Sequence, residues 1–215
     1  MKKLGLILLT SFSSVVVIFI ILFAGCNCKT DLIKYNVLIE SKVETPFGNY
    51  YSLGSGVIIS DDGNIITAGH VLQGATEIRV TLYDGRVFDV TEYYVDEKVD
   101  IGFLDLPGEY DFIKPQAATK DLKIIGIGNS QGIFLNVVRK GTVLDAKFSR
   151  LFLGKDIDCL LLKMHVQPGD SGGGVFYKEK LVGIMIIHIN DTTSIAVSWS
   201  ACEEALDRWK NSNER

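Results

Sequence analysis

Pro168-Gly169-Asp170-Ser171-Gly172-Gly173-Gly174 decides how this chain is read. A serine follows Gly-Asp, and three glycines follow the serine. Residues without a Cβ let the backbone fold tightly enough for two N–H groups to face a carbonyl beside the hydroxyl. A serine hydroxyl is a weak nucleophile near neutral pH. It needs a histidine to take its proton and an acid to hold that histidine in one tautomer. The chain has three histidines, His70, His165 and His188. His70 ends the stretch Ile66-Thr67-Ala68-Gly69-His70, and Asp100 opens the apolar run Asp100-Ile101-Gly102-Phe103-Leu104. Asp96 and Asp105 are the neighbouring alternatives, but Asp105 falls at the far end of that run. The order is therefore base, acid, nucleophile: His70, Asp100, Ser171.

Around these positions the chain reads as short strands separated by turns. Tyr35–Val43, Gly54–Ser60, Asn64–Thr67, Glu77–Tyr83, Arg86–Tyr94 and Asp100–Leu106 are apolar or alternating runs, punctuated by Asp61-Asp62-Gly63 and Asp84-Gly85. Asp-Gly beside β-branched residues is a hairpin signal. Leu122–Ile127, Ile133–Leu144, Asp158–Val166, Gly174–Tyr177, Leu181–Ile189 and Ser194–Val197 repeat the style. Two sets of about six strands predict an all-β chain of two six-stranded antiparallel barrels, spanning about 35–110 and 120–198. Ser200-Ala201-Cys202-Glu203 has the form of a capping box and predicts a C-terminal helix over about 199–211.

Taken together, Gly54-Ser55-Gly56-Val57-Ile58-Ile59-Ser60, Gly63 to Val71, Asp100 to Leu104, Gly126-Ile127-Gly128-Asn129-Ser130-Gln131-Gly132 and Pro168 to Gly173 resemble the trypsin-like serine peptidases, most closely the bacterial HtrA/Deg type. The resemblance covers roughly residues 50–200. It implies a chymotrypsin-like double barrel with the site in the cleft between barrels. It also implies that His70 is the general base and acid, Asp100 the orienting carboxylate and Ser171 the nucleophile. The backbone N–H groups of Gly169 and Ser171 match the oxyanion hole. The implied reaction is hydrolysis of a polypeptide through an acyl-enzyme, with no metal or organic cofactor. Asp170 departs from the asparagine usual in HtrA-type enzymes and is expected to cap nearby N–H groups. The chain ends at Arg215, which leads to the expectation that it lacks the PDZ domain general in that group.

By the same resemblance, residues before the serine and after Leu181-Val182-Gly183 wall the primary substrate pocket. His165, Ile187 and His188 fall there, and two histidines suit an acidic or amide side chain. Two other function classes stay open. A protease-fold peptide-binding or sensor module would bind without turnover. An esterase would share Gly169-Asp170-Ser171-Gly172-Gly173 with α/β-hydrolases, whose triad order differs from the one here.

The remaining sequence bounds location and partners. The chain has 215 residues, 47% of them hydrophobic and 22% charged, a globular composition. A formal net charge of −4 and the lack of a basic patch interleaved with aromatics give no basis for a nucleic-acid partner. Met1-Lys2-Lys3 precedes 21 uncharged residues, Leu4 to Ala24. Such a segment, residues 1–25, is a signal peptide or a transmembrane anchor, and basic residues at its start favour a cytoplasmic N-terminus. Leu22-Phe23-Ala24-Gly25-Cys26 resembles a bacterial lipoprotein signal, with Cys26 the lipidation candidate and Phe23 a departure from its usual leucine. Both fates predict an extracytoplasmic protein tethered to a membrane through its N-terminal segment, with 26–34 a linker to a peptidase domain over 35–215. Cys26, Cys28, Cys159 and Cys202 show no zinc spacing and no disulfide framework, and Cys159 reads as a core residue. No pattern specifies an oligomeric state.

Overall fold

The computed structural model describes residues 28–152 and 155–213. The apolar segment 1–25 and Cys26 lie outside the described residues. Among the described residues no helix is long and apolar enough to cross a membrane. The stretch expected as a linker contains a short helix, α1 (Cys28–Ile33), whose Leu32 is buried in the core.

Seven antiparallel strands follow: β1 (Asn36–Thr45), β2 (Gly48–Ile58), β3 (Asn64–Ala68), β4 (Glu77–Leu82), β5 (Val87–Val90), β6 (Tyr93–Asp96) and β7 (Ile101–Asp105). They form one sheet in the order β5-β4-β1-β2-β3-β7-β6. The expected closed six-stranded barrel is thereby corrected to a seven-stranded sheet without hydrogen-bonded closure. The run Arg86–Tyr94 is two strands, because β5 pairs with β4 and β6 pairs with β7 at the opposite edge. Only the exposed Thr91 and Glu92 connect them. The three residue steps from Val90 to Tyr93 span at most about 11 Å, so the sheet must coil until its edges nearly meet, while the ladder between them stays unmade. A four-residue helix, α2 (Gly69–Leu72), continues directly from β3.

The second half is a closed six-stranded barrel, as expected. Its strands are β8 (Lys123–Ser130), β9 (Phe134–Phe152), β10 (Lys155–Lys163), β11 (Gly174–Tyr177), β12 (Lys180–Asn190) and β13 (Thr193–Ser198), in the closed order β10-β13-β12-β11-β8-β9. Ile124, Val143, Leu162, Val175 and Val182 are among its buried apolar residues. A larger core around Ile39, Ile65, Phe103 and Leu104 fills the first sheet and continues into the second half through Phe176, Ile184 and Val197.

Helix α3 (Trp199–Asn213) packs across β10, β12 and β13 of the barrel and reaches β6 and β7 of the first sheet. Cys202, Ala205, Leu206 and Trp209 lie on one face at helical spacing, and Trp209 stacks on Phe103 of β7 with ring centroids 4.9 Å apart. Arg208 pairs with the buried Asp96 at the end of β6, whose other oxygen accepts from the Lys98 N–H at 2.9 Å. The last element of the chain thus closes against the first half. The cap differs from the expected box. Ser198, not Ser200, accepts from the Ala201 N–H, because β13 runs straight into the helix and Ser200 falls in its first turn.

Cys159 and Cys202 are free and buried. Burial pushes the Cys159 thiol up to about 11, and the Cys202 thiol is raised as well. Thiolates are the reactive form, so neither cysteine reacts with iodoacetamide at pH 8 until the protein is unfolded, which mass spectrometry of alkylated peptides checks. Trp209→Ala is expected to cost about 3–5 kcal/mol, as for large buried aromatics, read as a lower urea midpoint.

Candidate active site

Asp100 closes the turn before β7 with φ of +59°, a left-handed conformation that aspartate tolerates better than most residues. This turn sets its carboxylate against α2. Asp100 Oδ1 accepts from the His70 backbone N–H at 2.9 Å, and both carboxylate oxygens lie at 3.0 and 3.2 Å from His70 Nδ1. A second bond, from the Gly69 N–H to the Asp100 carbonyl at 2.9 Å, ties the same two segments. An ionised carboxylate only accepts, so Nδ1 carries the proton and the Nε2 lone pair is left for the cleft. The Asp100 side chain is 8% exposed and that of His70 43%. The carboxylate is therefore shielded and the imidazole can be reached.

The serine loop comes from the other half. Gln167-Pro168-Gly169-Asp170 forms a turn closed by the Asp170 N–H on the Gln167 carbonyl at 3.0 Å. Gly169 has φ of +92°, which fits the third position of a type II turn. Pro168 supplies the fixed φ of the second. The Pro168 carbonyl accepts from the Gln131 N–H at 2.6 Å. In a trans peptide the carbonyl and the next N–H point in opposite directions, so this bond turns the Gly169 N–H the other way. Neither the Gly169 nor the Ser171 N–H has an acceptor among the described residues. Gly172 then presses against the first sheet. A Cβ there would lie 2.0 Å from the Ser55 carbonyl oxygen, and φ is +85°. Gly172 also abuts Thr67 and Ala68, three and two residues before His70, so the serine loop packs on the segment that leads into α2.

Asp170 is held by charge. Its side chain is 2% exposed and pairs with Arg139 of β9, Nε to Oδ2 at 3.0 Å. Oδ2 also accepts from the Gln167 N–H at 2.9 Å, and Oδ1 from Ser130 Oγ at 2.7 Å. Arg139 Nη2 reaches Ser130 Oγ at 2.7 Å and Gln167 Oε1 at 3.3 Å. The expectation that Asp170 caps nearby N–H groups is met at Gln167, and the guanidinium is an addition. No local signal marks Arg139 in the sequence, where it reads as one more residue of an apolar strand. Ser55 and Asn129 are a second addition. Ser55 Oγ donates to the Gly169 carbonyl at 2.8 Å and accepts from the Asn129 N–H at 2.8 Å, and the Ser55 N–H donates to the Ser171 carbonyl at 2.7 Å.

A cavity of about 290 Å³ opens beside Ser171, lined by Val166, Gln167, Pro168, Met185, Ile187 and His188. Of the three residues expected at the pocket, Ile187 and His188 line it. His165 does not; it stands edge-on to His188 with ring centroids 5.8 Å apart. The reason is topological: His188 lies on β12 facing the serine loop, while His165 follows β10 and turns toward the β12–β13 hairpin.

Comparison with known proteins agrees with this architecture. The serine endoprotease DegS of Haemophilus influenzae is 29% identical over 156 residues, 66% of this chain and 44% of its own length. A "Probable periplasmic serine endoprotease DegP-like" of Halomonas elongata is 32% identical over 138 residues, 62% of this chain and 29% of its own length. The chain thus spans less than half the length of these curated relatives. Among solved structures, the HtrA-type protease AlgW with a tripeptide superposes with a TM-score of 0.73 at 23% identity, covering 82% of this chain and 60% of that one. The active form of the Rv3671c protease from M. tuberculosis gives 0.72 at 21%, covering 84% and 83%. The family described as trypsin-like peptidase domain matches residues 54–184, more than half of the sequence, and the chain belongs to it.

Proposed function

We propose that this chain is a serine endopeptidase that cleaves polypeptides outside the cytoplasm, tethered to a membrane through its N-terminal segment. The observation that carries the reading is the carboxylate of Asp100 clasping both the N–H and Nδ1 of His70, opposite a serine loop with two unpaired N–H groups. Location is supported by the word periplasmic in a relative's name and by the uncharged run Leu4 to Ala24.

Ser171 Oγ attacks the scissile carbonyl carbon while His70 Nε2 takes its proton. Catalytic hydrogen bonds of this kind tighten as substrate enters. The new C–O bond turns the carbonyl oxygen into an oxyanion, received by the Gly169 and Ser171 N–H groups. Asp100 stabilises the imidazolium without taking its proton. His70 then protonates the leaving amine, the C–N bond breaks, and an acyl ester remains on Ser171. A water deprotonated by His70 hydrolyses the ester and restores the hydroxyl. The apolar cavity beside Ser171 receives a substrate side chain. His188 at its wall favours one that accepts a hydrogen bond, a carboxylate or an amide.

Cleavage of an unfolded protein by the purified full chain tests this reading. Ser171→Ala abolishes it, and Asp100→Asn, which leaves the histidine in the wrong tautomer, lowers kcat by about 10⁴-fold. The rival reading, a peptide-binding module, predicts binding that survives Ser171→Ala and no cleavage by either protein.

Asp170 and Arg139 act as positioning residues for the oxyanion hole. Loss of one oxyanion donor costs about 10²–10³ in kcat. Arg139→Met therefore lowers kcat by about 100-fold with KM little changed, while Arg139→Lys restores part of it. A merely structural role would move the urea midpoint in both variants and leave kcat per folded molecule untouched.

A further inference from the structure

Three metal-ligating side chains outside the triad converge at one edge of the second barrel. His165 follows β10 by two residues, His188 lies in β12, and Asp191 sits in the turn between β12 and β13. Their ligand atoms all lie within 4.8 Å of one another. A tetrahedral zinc ion with Zn–N bonds of about 2.0–2.1 Å spaces its donors about 3.4 Å apart, so side-chain rotations that shorten the widest gap by about 1.4 Å close the set. The two imidazoles are nearly perpendicular, at 82°, which keeps their rings from colliding as their nitrogens approach one point.

A second observation concerns the tautomer. His165 Nδ1 lies 3.1 Å from the Asp191 backbone carbonyl. A carbonyl only accepts, so Nδ1 holds the proton and Nε2 keeps its lone pair. Metal-bound histidines donate their other ring N–H to such a carbonyl, which fixes the tautomer and aims the ring. The His188 ring nitrogens and the Asp191 carboxylate have no hydrogen-bond or ion-pair partner among the described residues. Their polar atoms therefore support no other element of the fold.

We propose that His165, His188 and Asp191 bind a zinc ion at the rim of the cavity beside Ser171, and that the bound ion competes with the substrate side chain for that cavity. Two imidazoles and one carboxylate suit Zn²⁺ and not Mg²⁺ or Ca²⁺, which take oxygen ligands. Three protein ligands leave a fourth position to water. His188 is shared between the site and the cavity wall, so the ion sets its ring and narrows the entrance. The competition rests on the peptidase reading; the binding does not.

Calorimetric titration of the detergent-solubilised full chain carrying Ser171→Ala with zinc chloride tests the site. One saturable zinc per chain is expected, weakened at least tenfold by His188→Ala and by Asp191→Asn, since even partners of a ligand are worth about 10–100-fold. Near-UV circular dichroism confirms that both variants remain folded. No saturable zinc binding, affinity unchanged in both folded variants, or equal binding of Mg²⁺ overturns the site. With the unmodified serine, zinc raises KM for peptide hydrolysis, and Asp191→Asn keeps basal hydrolysis and loses the zinc effect. Zinc sensitivity that persists in Asp191→Asn overturns the competition. Absence of hydrolysis altogether counts against the peptidase reading and leaves the calorimetric result standing.

Discussion

Ser55 holds the serine loop against the first sheet with its hydroxyl and its N–H. The hydroxyl donates to the Gly169 carbonyl and accepts from Asn129, the N–H donates to the Ser171 carbonyl, and its own carbonyl accepts from Thr67 Oγ1 at 2.6 Å. The residue is fully buried. Each such bond contributes about 1 kcal/mol net, but leaving a buried partner unmatched costs about 1–3 kcal/mol. The arrangement of the two halves is therefore specified at the serine loop. A shift of one half against the other would strand several polar groups at once.

The serine loop is restrained from both faces. Ser55 grips its carbonyl side from the first sheet, and Arg139 grips Asp170 from within the second barrel. Removing one partner from a buried ion pair leaves an uncompensated charge. Here that charge lies next to the peptide that presents the Gly169 N–H. Gln131 adds the third restraint, on the Pro168 carbonyl. The contacts that turn the Gly169 N–H outward thus belong to the fold itself.

Much of this could be read from residue order. The Asp-Gly turns and apolar runs located nearly all the strands, because burial on one or both faces leaves a periodic mark. Splitting of Arg86–Tyr94 into β5 and β6 was not legible, since Thr91 and Glu92 carry no breaker signal and the split follows from which partners each strand finds across the sheet. The contact of His70 with Asp100 was legible from their contexts, and Asp170 as an oddity of the loop that carries Ser171. Its partner was not: Arg139 lies 31 residues away in sequence, inside a strand, and only the closure of the barrel brings it to the loop. His165 likewise shares the pocket region by sequence offset but turns toward Asp191 once the β12–β13 hairpin is formed.

The account rests on a serine loop already arranged for attack, with Ser171 as the nucleophile. The direct test is mass spectrometry of the full chain after exposure to a fluorophosphonate with no peptide added. The account predicts one adduct, on Ser171, absent from Ser171→Ala and formed at a rate that added peptide does not raise. An unmodified Ser171, or an adduct that forms only once a peptide is supplied, would contradict it.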